Sequence, residues 1–410
     1  MRRRTFLGAV LAFDVAIYAI LISGCGGGGS SGSTPPVTKG SMVVFGYNDL
    51  GMHCMNQDFA ELCILPPANT LRAQVIDRTS GEGPVITTSG IVVNYSIPGN
   101  TGSNTKTNFW QYAGALFGAN LPTNIGLFGF GLSGTMQATA NNDFWAHGVP
   151  LTPLTDATAI DPFQLGHISV TKAGIEVAST DAVVPVSWEI KCDNCHTTAG
   201  ISVATDILRK HDTKHGTTLE SQKPVLCAGC HADPALGAAG HVGVSTMSSA
   251  MHSSHATRMG GLTGIDICYS CHPGPQTQCL RDVHKSKGLT CLNCHVSMAA
   301  VGDPSRTPWK DEPKCGTCHA VAGHEYEQTG VLYRDSVGHN GVKCIACHGS
   351  PHAIGPSMNA RDNVQAIALQ GKAGTISKCT VCHTSTPGDA FNHTSGSAGL
   401  KRLSASKGIR

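Results

Sequence analysis

The amino-acid sequence predicts an N-terminal antiparallel β-domain followed by a mostly irregular, short-helix region that is rich in Cys and His. Residues 41–187 carry short runs of Val, Ile, Thr and aromatic residues separated by Gly, Pro and Asn, a spacing typical of antiparallel strands. From residue 188 onward, Cys and His become frequent and this strand pattern fades. The second region has few large apolar residues for its length, so we expect something other than side chains to fill its interior.

Two features of residues 41–187 specify the β-domain further. Strand-like runs recur at 42–47, 71–77, 85–97, 167–178 and 183–190, with few convincing helical stretches between them, which favours an antiparallel structure such as a sandwich. Most aromatic residues of the chain also lie here. We expect the following aromatic residues to build the β-core rather than an exposed docking patch: Phe109, Trp110, Tyr112, Phe144 and Trp145.

The first 25 residues have the pattern of an export signal. A basic start precedes an apolar run, and Asp14 interrupts that run, which weakens it as a permanent membrane span. The last four residues of this segment resemble a bacterial lipobox. That resemblance implies a signal peptide over residues 1–24, lipidation of Cys25 and a flexible tether over residues 25–40. The alternative is an ordinary signal peptide or a membrane anchor in which Cys25 is incidental.

The second region contains the pattern C-x-x-C-H seven times, and we number these motifs 1 to 7 in chain order. They are, in turn, Cys192, Cys195 and His196; Cys227, Cys230 and His231; Cys268, Cys271 and His272; Cys291, Cys294 and His295; Cys315, Cys318 and His319; Cys344, Cys347 and His348; and Cys379, Cys382 and His383. This pattern is the attachment sequence of c-type haem. Its two thiols add across the vinyl groups of one porphyrin, and the His supplies the proximal ligand of the iron.

Zinc is the alternative occupant of these motifs, because paired C-x-x-C sequences also form zinc ribbons. Here a His follows every one of the seven pairs directly, which chance does not explain. An odd number of pairs also suits four-thiolate zinc badly. The sequence therefore predicts seven covalently attached c-type haems, each with iron at its centre.

The ligand on the other face of each iron decides what the haem does. A second strong ligand gives an iron that exchanges electrons with little rearrangement, whereas an open position binds small molecules. We expect mostly bis-histidine irons, and methionines of the region are expected to pack rather than ligate. The candidate distal ligands are His211, His215, His241, His252, His255, His284, His324, His339, His352 and His393.

Three cysteines besides Cys25 lie outside the motifs. Cys54 and Cys63 are close in sequence, and an exported compartment permits a disulfide between them. Cys279 is left over as a buried free thiol, a haem ligand or a redox-sensitive thiol. His53 is expected to be structural, with ligation of the first haem as the alternative.

Seven motifs within residues 188–393 leave too little polypeptide to bury each haem separately, so the porphyrins are expected to form the core of a seven-haem cytochrome c domain. The lipobox-like sequence, the seven motifs and the surplus His together make this chain resemble the multihaem outer-surface lipoprotein cytochromes of metal-respiring bacteria. The resemblance implies electron transfer at the outer membrane or cell surface. Its partners would be other redox proteins, metal-oxide surfaces and, through the lipid, the membrane. Residues 394–410 are expected to be a polar basic tail.

Other function classes are less favoured. A multihaem oxidoreductase acting on a small nitrogen or sulfur substrate needs one open or unusually ligated haem, and the C-x-x-C-K motif of many such nitrite reductases is absent. A structural or adhesive surface protein is the third class. The formal net charge of +2 falls to zero once residues 1–24 are removed, so no charge pattern favours nucleic-acid binding.

Overall fold

The computed structural model describes residues 40–79, 83–319, 327–388 and 393, and from Gly40 onward the chain forms one compact unit. Several predictions fall outside the described residues: the signal peptide, the lipidated Cys25, the tether, the distal candidate His324 and the tail. Across the described ranges, no helix has the length and apolar character needed to span a membrane.

Strands dominate the first region. In chain order they are β1 (Met42–Asn48), β2 (His53–Cys54), β3 (Leu62–Cys63), β4 (Asn69–Asp77), β5 (Val85–Ile86), β6 (Val92–Ser96), β7 (Ser133–Thr135), β8 (Gln137–Ala138), β9 (Phe144–Val149), β10 (Phe163–Lys172), β11 (Ile175–Ser187) and β12 (Val225–Leu226). The predicted antiparallel-rich β region is therefore confirmed. The predicted runs 42–47 and 71–77 match β1 and β4, whereas the run 167–178 crosses the turn between β10 and β11, and β9 was not predicted.

Ten of these strands form two five-stranded sheets, and β3 and β12 form a separate two-stranded sheet. One has the order β1-β4-β9-β8 with β5 paired to β4, and the other has the order β2-β11-β10-β6-β7. The long β10–β11 hairpin and the β1–β4 pair are antiparallel. Two short pairs are parallel instead: β2 with the end of β11, and β3 with β12. Strand β12 comes from the second region, so its pairing extends a sheet contact across the boundary.

The two sheets share one apolar core. Leu71 and Val75 of β4 pack in the same cluster as Ile168 and Val170 of β10, and all four are fully buried. Burying a side chain of this size stabilises a fold by about 1.5–3 kcal/mol relative to leaving it exposed. The expected core role of the aromatics is confirmed for Phe109 and Phe144, which are buried. Trp145, by contrast, is 36% exposed.

Strand β1 is buried on both faces. Val44 points into the shared core, whereas Val43 and Phe45 pack against Ile345 and Val381 of the second region. Since a strand covered on both faces reads as a continuous apolar run, this explains the sequence of β1.

Helices are few and short. They are α1 (Phe109–Phe117), α2 (Val203–His215), α3 (Met247–Ala256), α4 (Asp266–Tyr269), α5 (Val283–Ser286), α6 (Cys291–His295), α7 (Met298–Val301), α8 (Cys344–His348) and α9 (Val364–Gln370), with single 3₁₀ turns between them. The predicted short-helix character of the second region is confirmed. Helix α1 lies within the β region and was not expected from the sequence. Side chains spaced at i, i+4 and i+7, with Phe109 and Leu116 at the ends, bury its inner face.

Three arginines of low exposure join the regions. Arg72 of β4 forms an ion pair with Asp335 at 2.9 Å. Arg78 donates to main-chain carbonyl groups around motif 7, including that of His383 at 3.2 Å. Arg281, which is 2% exposed, pairs with Asp362 and donates to the carbonyl oxygen of Gly51. Because each guanidinium offers five donors, one side chain can tie together several segments.

Candidate cofactor-binding site

Each of the seven C-x-x-C-H motifs folds as one helical turn. In motif 1, the amide of His196 donates to the carbonyl oxygen of Cys192 at 2.9 Å, and motifs 2, 3, 5 and 7 repeat this bond. Motifs 4 and 6 coincide with the five-residue helices α6 and α8. One turn places residues i and i+3 on the same side of the helix. The two thiols of a motif therefore project together, with the His directly after them.

Histidines of the second region stand in facing pairs. Each pair combines a motif His with one of the distal candidates, and the ring centroids are 5.7–6.3 Å apart. The pairs are His231 with His211, His272 with His252, His295 with His352, His319 with His284, His348 with His393, and His383 with His339. No motif His occurs twice among these six pairs.

The separation within the pairs has a chemical meaning. A metal–imidazole bond is about 2.0–2.1 Å long and the ring centroid lies about 1.1 Å behind that nitrogen, so two imidazoles on opposite sides of one metal have centroids roughly 6 Å apart. The six observed separations match this value. They exceed the 4.8 Å between His211 and His215, which are neighbours on one face of α2.

The one motif His outside these six pairs is His196 of motif 1, and it interacts electrostatically with His255. His255 lies on α3, three residues after His252, which faces motif 3. Residues at i and i+3 lie on the same side of a helix, so α3 presents one His to motif 1 and one to motif 3. The side chain of Thr246 caps this helix by accepting from the amide of Ser249. The cap fixes where the helix begins, and hence the direction of both imidazoles.

Hydrogen bonds orient many of these rings through Nδ1. His231 Nδ1 donates to the carbonyl oxygen of Ser245 at 2.8 Å, and His252 Nδ1 donates to that of Ser248 at 2.7 Å. Since Nδ1 carries the proton in such a bond, Nε2 carries the lone pair that a metal requires. His255 and His284 use Nδ1 in the same way.

A carboxylate oxygen of Asp206, on α2, forms a hydrogen bond of 3.2 Å with Nδ1 of His196. Hydrogen bonds from the Lys210 ammonium and, with a smaller effect, from the Thr198 hydroxyl lower the pKa of this carboxyl to about 2. Asp206 was not among the residues predicted from the sequence. An acidic residue in the first turn of the helix after motif 1 could have indicated a partner for the His of that motif.

Desolvation by the surrounding protein favours the neutral form of several paired rings, of which His272 is exposed and the others are half-buried. It lowers the pKa of His272 to about 4 and that of His352 to about 4, and it also lowers the pKa values of His252, His295 and His348. A neutral imidazole has the free lone pair that metal binding requires, whereas an imidazolium has none. The electrostatics of these positions therefore suit ligation at neutral pH.

Some predicted ligands stand outside the facing pairs. His215 lies beside His211 on α2, and His241 is exposed on the loop after motif 2. His53 is structural, as expected: its Nε2 interacts with Asp49 at 3.2 Å and its Nδ1 with the carbonyl oxygen of Ala68 at 2.9 Å.

Thiols of different motifs interact electrostatically, and these interactions link the motifs to one another. Cys192 of motif 1 interacts with Cys227 of motif 2 and with Cys271 of motif 3. Cys268 of motif 3 interacts with Cys291 of motif 4. Further interactions join motif 4 to 5, 5 to 6 and 6 to 7 through Cys294 and Cys318, Cys315 and Cys344, and Cys347 and Cys382. The interactions therefore link the motifs in the order 2-1-3-4-5-6-7.

Cys54 and Cys63 are both free thiols in the structure, as are Cys279 and the motif cysteines, so the disulfide between Cys54 and Cys63 stays a prediction. Each of the two interacts with a different cysteine: Cys54 with Cys279, and Cys63 with Cys227 of motif 2. The strand pairing agrees with this, because Cys54 lies beside β11 and Cys63 beside β12, in two different sheets.

Zinc-type geometry is not found within the described ranges, where no three His, Cys, Asp or Glu side chains gather as a group that could hold a bare metal ion. The histidines are instead brought together in pairs.

Comparison of the chain with models of protein families, with curated proteins and with solved structures found no match. Functional inference therefore starts from the motifs and from this geometry.

Proposed function

We propose that this protein is a multihaem c-type cytochrome that binds seven haems covalently and transfers electrons along them. The observation that carries the proposal is the pairing of motif histidines with non-motif histidines at 5.7–6.3 Å. Two imidazoles at that separation suit the two axial positions of one iron. An iron held by two protein ligands takes its four others from a macrocycle, and the adjoining helical turn offers the two thiols that would anchor it.

The proposed ligand sets follow from the pairs. Motifs 1 to 7 would use, in order, the distal histidines His255, His211, His252, His352, His284, His393 and His339. Haem iron with two imidazoles changes its oxidation state without changing its ligands, and it has a low reduction potential. The protein supplies the ligands, and hydrogen bonds to Nδ1 orient five of them: His196, His231, His252, His255 and His284.

The order of the motifs supports one unbranched path for electrons. Because the thiols of successive motifs interact in the order 2-1-3-4-5-6-7, neighbouring haems would be attached at neighbouring points. The two ends of this path differ. At motif 2, Cys230 is exposed, whereas motif 7 packs against β1 through Val381.

The pairing favours electron transfer over catalysis. Catalysis at haem iron requires an open or weakly held axial position. Each of the seven motif histidines has a facing or interacting histidine among the described residues. A multihaem oxidoreductase is the alternative function, and it requires that one of these pairs opens.

The proposed setting is the outer membrane or cell surface. Its support is the export signal and lipobox-like sequence that ends at Cys25, together with the resemblance to outer-surface cytochromes. Electron donors and acceptors would be other cytochromes, and metal oxides would be terminal acceptors.

Haem stoichiometry tests the proposal. We would express the chain with a c-type haem maturation system, count haems as the pyridine complex and measure the intact mass. The expected result is seven haems per chain. Replacing both thiols of motif 7 (Cys379→Ala with Cys382→Ala) should give six, whereas Cys63→Ser, outside the motifs, should keep seven. Bound zinc in place of haem, or fewer than seven haems in the unaltered chain, would overturn the proposal.

A further inference from the structure

Two cysteines outside the haem-attachment motifs, Cys54 and Cys279, belong to two segments that meet at one residue of β11, Ser187. Cys54 pairs with Ser187 in the parallel ladder between β2 and β11. The hydroxyl of Ser187 forms a hydrogen bond of 3.0 Å with the hydroxyl of Thr277, two residues before Cys279. One buried serine therefore brings β2 next to the segment that follows motif 3.

A second contact joins the same two segments. Arg281 Nη1 donates to the carbonyl oxygen of Gly51 at 2.8 Å and to that of Cys279 at 3.2 Å. Because one nitrogen makes both bonds, the turn before β2 and the main chain of Cys279 are held at the same point. The ion pair of Arg281 with Asp362 fixes the guanidinium itself.

The two thiols also interact with each other. Burial raises the pKa of the Cys54 thiol, and Cys279 raises it further. Burial likewise raises the pKa of Cys279, to about 11. Both groups are therefore protonated thiols at neutral pH, and both cysteines are half-buried.

We propose that Cys54 and Cys279 form a disulfide in the mature protein, which would fasten β2 to the segment after motif 3. The bond forms by exchange: two thiols lose two protons and two electrons, and the disulfide of an oxidising thiol–disulfide exchange protein is reduced to two thiols. Such oxidants act in exported compartments. The inference rests on the export that the proposed function requires, and it does not depend on the number of haems.

Cys63 provides the internal comparison. It lies beside Leu226 in the β3–β12 ladder, and the thiol that interacts with it is Cys227. In the proposed cytochrome, Cys227 is bonded to haem. Cys63 is therefore expected to stay a free thiol. Cys54 and Cys279 thus have each other as disulfide partners, whereas the neighbour of Cys63 would be bonded to haem.

The disulfide would act mainly on the unfolded chain. It closes a loop that includes most of the β region and motifs 1 to 3, and long loops lose the most conformational entropy when they are crosslinked. Such a bond would keep the two regions together while haems are being attached.

Peptide mapping of the full-length holoprotein tests this inference. The purified protein is denatured in an alkylating reagent without reductant, digested and analysed by mass spectrometry before and after reduction. We expect a crosslinked peptide containing Cys54 and Cys279 that disappears on reduction, and an alkylated Cys63. In the Cys279→Ser variant, Cys54 should become alkylated. In the Cys63→Ser variant, the crosslinked peptide should persist.

Two results would overturn the inference: a crosslink between Cys54 and Cys63, or alkylation of both Cys54 and Cys279 in the unaltered protein. The same digest contains the motif peptides, so the haems are read separately. Haem-bearing peptides with alkylated Cys54 and Cys279 would reject the disulfide alone. A crosslinked peptide with haem-free motifs would reject the proposed function alone.

Discussion

Residues 42–187 and residues 191–388 fill their interiors in different ways. In the first region, two sheets meet over a continuous cluster of Val, Leu, Ile and Phe side chains. In the described part of the second region, the buried apolar side chains are Leu208, Ala228, Met259, Tyr269, Leu280, Ile345, Ala346, Ala353 and Val381. Protein interiors are close-packed, so a region this poor in apolar side chains needs another filler. The seven proposed porphyrins would supply it, and the second fold would then depend on a cofactor.

The largest expected effect is the loss of order in one region when haem is withheld. In a haem-free full-length chain, we expect amide exchange in residues 191–388 to accelerate by about 100-fold or more, because segments that lose their packing open at little cost. Amides of β4 and β10 should stay protected. Hydrogen exchange read by mass spectrometry measures both regions at once. Equal protection of the two regions in the haem-free chain would contradict the comparison.

A core substitution tests the first region. Leu71 of β4 is fully buried in the shared core, so Leu71→Ala should lower the free energy of unfolding by about 2–5 kcal/mol. The matched control is Ile175→Ala, because Ile175 is 70% exposed and its loss should change stability by less than about 0.5 kcal/mol. Urea denaturation followed by circular dichroism gives both values. An equal loss of unfolding free energy in the two variants would show that this core does not stabilise the two sheets.

A ligand substitution tests the second region. His252→Gly should leave one iron with an open position, because His252 faces His272 of motif 3. Carbon monoxide should then bind about one haem in seven, and added imidazole should block that binding. His241→Gly serves as the control, since His241 lies outside the facing pairs, and it should bind no carbon monoxide. Equal binding by both variants would refute the assigned pairing.

The smallest effect concerns ring orientation. The rings of His252 and His272 are nearly parallel at 19°, whereas those of His211 and His231 are nearly perpendicular at 85°. Parallel ligand planes split two iron d orbitals, and perpendicular planes leave them nearly equal in energy. The oxidised protein should therefore show both rhombic and strongly anisotropic low-spin signals in electron paramagnetic resonance. His211→Ala should weaken the anisotropic signal, and His215→Ala on the same helix should not. A uniform set of rhombic signals would contradict the observed angles.

Sequence patterns predicted the parts of the fold that depend on local spacing. The apolar runs located β1 and β4, and the motif spacing located seven helical turns. The run 167–178 covered parts of β10 and β11 but missed the turn between them. Helix α1 was missed because its short apolar face lies within a strand-rich stretch, although its spacing and the left-handed Gly118 after it were visible signals.

Partner choice could not be predicted, because it depends on the tertiary path of the chain. His352 follows motif 6 by four residues and yet faces His295 of motif 4, and His284 precedes motif 4 and faces His319 of motif 5. Cys54 likewise finds a neighbour far away in the sequence. Each of these partners is decided by which segments pack together, which the order of residues along the chain does not specify.

Carbon monoxide binds haem iron only where the sixth position is open or weakly held. Adding it to the reduced, unaltered holoprotein and following the haem absorption bands therefore reveals whether each of the seven proposed irons is held between two histidines. We expect no spectral change at neutral pH. A change equivalent to one haem or more would refute the assigned ligand pairs and would identify a catalytic haem instead.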